Sequence, residues 1–287
     1  MAKSPAHRLG QIIGYALERS LIPLLQEVAD AHSLYLDTIR PRAARNGKKL
    51  LTWVDDADNK HNLDFVLERN GAEDHQGTPV AFIEVAWRRY SKHSVNKAGE
   101  IANALVPLRQ TYARTRPFTG AVVAGIWTEV GLQHMLSQGI RLLYIPLDHI
   151  VQAFSPYGID LALEEGTSES FLQAQVDRWD SLTDDDQEEL AISLLKFSSS
   201  KFIAFRNELD NHLKRQVSRV LVLPLHGETL EFATVSAAAA ALMSYQGLDS
   251  AAPLRRVEVQ VRYSNGDKID AEFADTAEAI TWLEAHA

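Results

Sequence analysis

Two acids sit where the chain should be apolar. Val80-Ala-Phe-Ile-Glu-Val-Ala-Trp-Arg-Arg-Tyr-Ser-Lys-His93 reads as a buried strand that carries one carboxylate, Glu84, before turning basic. A carboxylate taken out of water costs several kcal/mol unless a cation or a metal ion pairs it. The preceding strand-like run, Asn62 to Glu68, carries Asp64. If the two strands are antiparallel neighbours, Asp64 and Glu84 converge on one ion. Oxygen ligands from one or two carboxylates suit Mg2+, with Mn2+ as a substitute, and such an ion polarises a phosphoryl oxygen and acidifies an attacking water. A third acid, Glu18, lies at the edge of the apolar stripe of a long amphipathic helix.

The elements that would position these acids follow from periodicity. Residues 6 to 31 have helical spacing, with Pro23 expected to kink the helix. Strands are expected at 49–54, 62–68 and 79–87, then a helix from Ser91 to Arg114 bent at Pro107. The almost wholly apolar run Phe118 to Trp127 suits a central strand covered on both faces. A helix at 129–138, a strand at 140–145 and a further helix complete a mixed sheet. The expected fold class is α/β, with a mixed central sheet flanked by helices over residues 1–155. A helical linker over 156–217 and a small α+β module over 218–287 follow. In the linker, Thr183-Asp-Asp-Asp caps a helix, its acids complementing the helix dipole. The last module repeats strand, strand, helix twice, with Asn265-Gly266 as a two-residue hairpin turn.

Composition narrows the function classes. There are no cysteines, which excludes disulfides and thiolate metal sites. The net charge of −9 is uneven: residues 1–150 hold 18 Lys+Arg against 15 Asp+Glu, leaving 11 against 23 for the rest, so a nucleic-acid surface on the first half remains open. Arg40, Arg42, Arg45, Lys48, Lys49, Arg88 and Arg89 are the residues expected to meet a phosphate backbone. Neither a signal peptide nor a run of 18 apolar residues is evident, so a cytoplasmic protein without a membrane span is expected. There is no phosphate-binding Gly-rich loop with Lys-Ser/Thr, no His-Glu-x-x-His and no Gly-x-Ser-x-Gly. Asp56-x-Asp58 fails as a calcium loop, because Lys60, His61 and Leu67 occupy its key later positions.

Asp64, nineteen intervening residues and Glu84 in Phe-Ile-Glu-Val-Ala-Trp, within this order of elements, resemble the PD-(D/E)XK nuclease superfamily of restriction endonucleases and Holliday-junction resolvases. The resemblance covers roughly residues 6 to 154. It implies a restriction-endonuclease-like core and a Mg2+-dependent endodeoxyribonuclease of restriction or phage-defence type. Metal ligation is implied at Asp64 and Glu84 with help from Glu18, and DNA as partner. Cutting both strands implies a homodimer. The chain departs from the pattern twice: Leu63 stands for the motif proline, and Ala86 stands where a lysine follows the Glu by two residues. Lys92 and Lys97 are equal candidates for a migrated lysine, and Arg88 is a charge stabiliser on the same strand face. The alternative is a catalytically inactive, nuclease-like nucleic-acid-binding or assembly subunit.

Overall fold

The computed structural model describes residues 4–164, 166–225, 228–245 and 256–284. The chain is α/β and divides into two compact units, residues 1–210 and 211–287.

The first unit opens with α1 (Pro5–Ala31). Ser4 caps it by accepting the His7 N–H, Pro5 stands at its first turn, where a missing N–H costs nothing, and it runs on through Pro23. Next comes β1 (Leu34–Thr38), a strand absent from the sequence-based expectation. The expected strand 62–68 is two strands. β2 (Leu51–Val54) and β3 (Lys60–Leu63) form a separate ribbon, and β4 (Phe65–Arg69) joins the main sheet. Asp64 is the bend between β3 and β4. One alternating run thus serves two sheets, because the chain turns at the acid.

β5 (Thr78–Arg88) is followed by a short 3-10 turn at Ser91–His93 and by α2 (Ser94–Thr111). β6 (Phe118–Gly125) is buried at every position, as its unbroken apolar character requires of a central strand. α3 (Glu129–Ser137), β7 (Arg141–Pro146) and α4 (Leu147–Phe154) follow. The sheet order is β1-β4-β5-β6-β7, antiparallel through β5 and parallel from β5 to β7. α2 and α3 cover one face, where Phe82, Ala86, Ala121 and Val123 pack against Ala98, Ile101, Leu105 and Met135. α1 packs on β1 and β5, and α4 on β6 and β7.

Most of the region expected as a linker, through residue 210, is part of this unit. α5 (Glu169–Asp180), α6 (Asp184–Phe197) and α7 (Ser199–Leu213) break where the caps dictate, α6 being opened by a reciprocal Thr183–Asp186 capping box. α5 and α6 pack on α1, so the boundary between the compact units falls at 210/211 rather than at 155 and 217.

The second unit is an antiparallel sheet, β11-β10-β8-β9, built from β8 (Val217–Pro224), β9 (Leu230–Phe232), α8 (Val235–Met243), β10 (Val257–Tyr263), β11 (Lys268–Phe273) and α9 (Thr276–Glu284). The two strand-strand-helix repeats meet at the central β8–β10 pair. Phe232-Ala-Thr234 and Phe273-Ala-Asp275 stand at the same point of the two repeats and end in helix caps: Thr234 accepts the Ala237 N–H, and Asp275 the Glu278 N–H. The hairpin around Asn265 is a four-residue loop, Ser264–Asp267, with Gly266 at φ +86°. The expected end of the last helix at His286 lies outside the described residues. Among the described residues no helix is long and apolar enough to cross a membrane.

Candidate active site

β4 and β5 pair with Phe65 opposite Ile83 and Val66 opposite Phe82. Continuing that antiparallel register places Asp64 opposite Glu84. The bend at Asp64 turns its side chain onto β5, where Oδ2 accepts the Val85 N–H at 2.6 Å. Among the described residues no other hydrogen bond reaches the Asp64 side chain, so its second oxygen has no protein partner. Glu84 is more exceptional. Its Oε1 is enclosed by protein and has no hydrogen-bond partner, an arrangement that costs free energy unless a ligand completes it.

Electrostatics tie the three acids together. Burial first, then the charge of Asp64, then a smaller contribution from Glu18 hold the Glu84 carboxyl well above the usual carboxylate range, while Lys97 pulls it down. Asp64 is also raised by burial, against the lowering effects of the Val85 N–H and Lys97. Glu18 is pushed up from 4.5 to about 7, by burial and then by Asp64, with Lys49 opposing. Like charges that raise one another in a desolvated pocket mark a site that favours an added cation. Among the described residues no group of three or more His, Asp or Glu side chains is set to hold a metal ion. The donor set that fits is the Asp64–Glu84 pair, with Glu18 alongside, and one or two carboxylates are what Mg2+ uses when waters and phosphate oxygens supply the rest.

The structure separates the two candidate lysines. Lys92 is exposed in the 3-10 turn. Lys97, one turn into α2, is near enough for its charge to lower both acids, and its ion-pair partner is Glu100 at 3.0 Å. Ala86 is 4% exposed and packed against α2, so a lysine there would meet the core cluster rather than open space.

Arg42 and Arg45 of the basic loop are turned inward rather than offered to a phosphate backbone. Arg42 is 1% exposed and does not present a charge to solvent. Its guanidinium donates to Asp37 Oδ2 at 2.6 Å, to Glu68 Oε1 and Oε2 at 2.6 and 3.1 Å, and to the carbonyls of Ala72 and His75. Arg45 donates to Asp37 and to the Thr38 and Arg40 carbonyls. Arg40 bonds Glu73 at 2.7 Å and Tyr35. Arg42 and Arg45 fasten the loop to the β1–β4 edge, because Asp37 and Glu68 are fully buried acids that need cations, while the Arg40–Glu73 pair is exposed. That role was hidden in the sequence because its partner Asp37 lies on the unrecognised strand β1. Lys48 and Lys49 remain exposed. Arg88 and Arg89 are half-buried, donating to the carbonyls of Trp87 and Glu164, with Arg89 also over the Tyr90 ring.

No protein-family model matches the chain, and no curated protein matches it. A solved structure described as "Crystal Structure of Protein of Unknown Function AF1548" is similar at 13% identity, covering 68% of this chain and 97% of that one with a TM-score of 0.30, a likeness too slight to carry any inference.

Proposed function

We propose that this chain is a divalent-cation-dependent endonuclease of the PD-(D/E)XK kind, hydrolysing DNA phosphodiester bonds. The observation that carries the reading is the enclosed, partnerless Glu84 Oε1 opposite Asp64, with a lysine close enough to favour both carboxylates. Asp64 and Glu84 would hold Mg2+ or Mn2+, which supplies a polarised phosphoryl oxygen and a more acidic water when bound. Asp64 is oriented for this by the Val85 N–H, which fixes one oxygen and frees the other. Lys97 takes the place of the motif lysine as the cation beside the reacting phosphate, reaching in from α2 where Ala86 cannot. Glu18 borders the pair and holds a proton close to neutrality. Exposed Lys48 and Lys49, with Arg88 and Arg89, are left to meet the sugar-phosphate backbone, and two copies would be needed to cut both strands.

The test is plasmid cleavage by the purified chain in Mg2+ or Mn2+. Asp64→Ala should abolish cutting, and cutting that survives it refutes the site. Lys97→Ala is expected to lower the rate by ~100-fold or more, the scale on which removal of one transition-state donor acts, and Lys92→Ala to leave it within about 3-fold. Equal effects of the two lysines refute the assignment to Lys97.

A second reading, a nuclease-like subunit that binds nucleic acid without cutting it, is favoured by one observation: the motif-lysine position is closed over by core packing at Ala86. Binding to DNA with no cleavage in either cation selects that reading.

A further inference from the structure

The β2–β3 ribbon is the element that enters and leaves the candidate site, with Lys49 just before it and Asp64 just after it. Its two faces differ. The inner face, Leu51, Trp53 and Leu63, is buried on α2 and β5, with Trp53 edge-on to Phe82 and Tyr112 at 5.6 and 5.5 Å. Its turn is fixed by Asp55, which accepts the Ala57 and Asn59 N–H groups and bonds His61 at 2.8 Å. On the outer face Val54, Lys60 and Asn62 are exposed and Thr52 is half-buried. There Thr52 stands opposite Asn62 and donates its hydroxyl to Asn62 Oδ1 at 2.7 Å, which leaves the Asn62 amide hydrogens pointing away from that bond. Leu50 and Val54 on the same side are 56% and 39% exposed.

Charge along this face is polar in direction. Lys48 and Lys49 lie exposed at the base, Lys49 near enough to act on Glu18, while the tip carries the exposed acids Asp56 and Asp58 against one cation, Lys60, on the outer face opposite Val54. A polyanion is therefore drawn to the base, where the site is. The major groove of B-form DNA admits a two-stranded ribbon, and amide and hydroxyl groups are the side chains that read base edges there.

We propose that the outer face of the β2–β3 ribbon lies in the major groove of duplex DNA, where Thr52 and Asn62 read bases within about two base pairs of the phosphate at Asp64 and Glu84. The distance follows from the chain: Asn62 precedes Asp64 by two residues, about 7 Å of strand, against ~3.4 Å of rise per base pair. The inference rests on the nuclease reading but concerns which substrate that site selects. A rigid, back-packed ribbon suits the task, since little ordering is needed on binding.

Selection from a library of randomised duplex oligonucleotides in Ca2+, read by sequencing the bound fraction, tests it on the full chain. Wild type should enrich a short motif. Thr52→Val/Asn62→Ala, which alters the outer face alone, should lose discrimination at one or two positions by roughly 10-fold or more while keeping total affinity within about 3-fold. If the double variant unfolds early in a thermal melt, Asn62→Ser carries the same comparison. An unchanged motif in the variant, or wild-type binding without any motif, overturns the ribbon's role and leaves the nuclease reading standing. Failure of wild type to bind any duplex overturns both.

Discussion

Glu84→Gln should make the cation-free protein more stable and, at the same time, inactive. The two effects have one cause. Burial and the neighbouring Asp64 lift the Glu84 carboxyl because its charge is uncompensated in this pocket, and the neutral amide removes that charge without changing shape. The expected result is a higher melting temperature than wild type at pH 8 in EDTA. In wild type Mg2+ or Mn2+ should raise the melting temperature, and in the variant that rise should be lost. Cleavage should fall by at least ~1,000-fold, since the ion's stabilisation of developing charge amounts to several kcal/mol. An unchanged cation response in the variant would remove Glu84 from the ligand set.

The pH dependence has a definite sign. A carboxyl whose pKa is raised on folding binds its proton more tightly in the native state, so native stability is greatest near and below the unfolded value and declines as pH rises towards the folded one. Glu18 sets the window, from 4.5 to about 7, and its rise corresponds to on the order of 2 kcal/mol once partial solvent screening is discounted. Cation-free protein should therefore lose stability between those values, and the stabilisation given by Mn2+ should grow over the same interval. Melting curves at pH 5 and pH 8, with and without Mn2+, measure both. A Mn2+ effect equal at the two pH values contradicts the assignment of these acids to a cation site.

Arg42→Met is expected to destabilise the fold by about 3–5 kcal/mol, the cost of leaving buried carboxylates without their cation. Asp37 and Glu68 are both inaccessible to solvent, and Arg42 is the residue that bridges them, with Tyr35 stacked beside its guanidinium at 4.3 Å. Arg45 still reaches Asp37 in the variant, but among the described residues Glu68 keeps only the Gly77 N–H. Arg40→Ala is the contrast. Its Glu73 partner is 56% exposed, and the pair should contribute less than ~1 kcal/mol. Urea unfolding of the two variants separates them, and equal losses would show that the loop is not anchored through Arg42. The same comparison decides what the basic loop is for: if Arg42 met DNA directly, its replacement would weaken binding without lowering the unfolding midpoint.

The sequence by itself determined the elements whose signals are local. The apolar periodicity over residues 6–31 defines the buried stripe of α1; Thr183 and the acids after it define the start of α6; the unbroken apolar run at Phe118 defines a doubly covered strand. It also singled out Asp64 and Glu84, since a lone acid in an apolar strand is visible without knowing the partner. Tertiary structure alone decided the rest. That the strand run breaks at Asp64 depends on a ribbon leaving the sheet, and alternation cannot report it, because β3 and β4 share the same period. That Lys97 rather than Lys92 lies near enough to act on both acids depends on where the 3-10 turn ends and α2 begins. That Arg42 is structural depends on β1 pairing with β4 thirty residues away, which brings Asp37 beside Glu68. Charge type is written in the sequence, but whether a charge is paired, buried or offered to a ligand is set by contacts between residues distant along the chain.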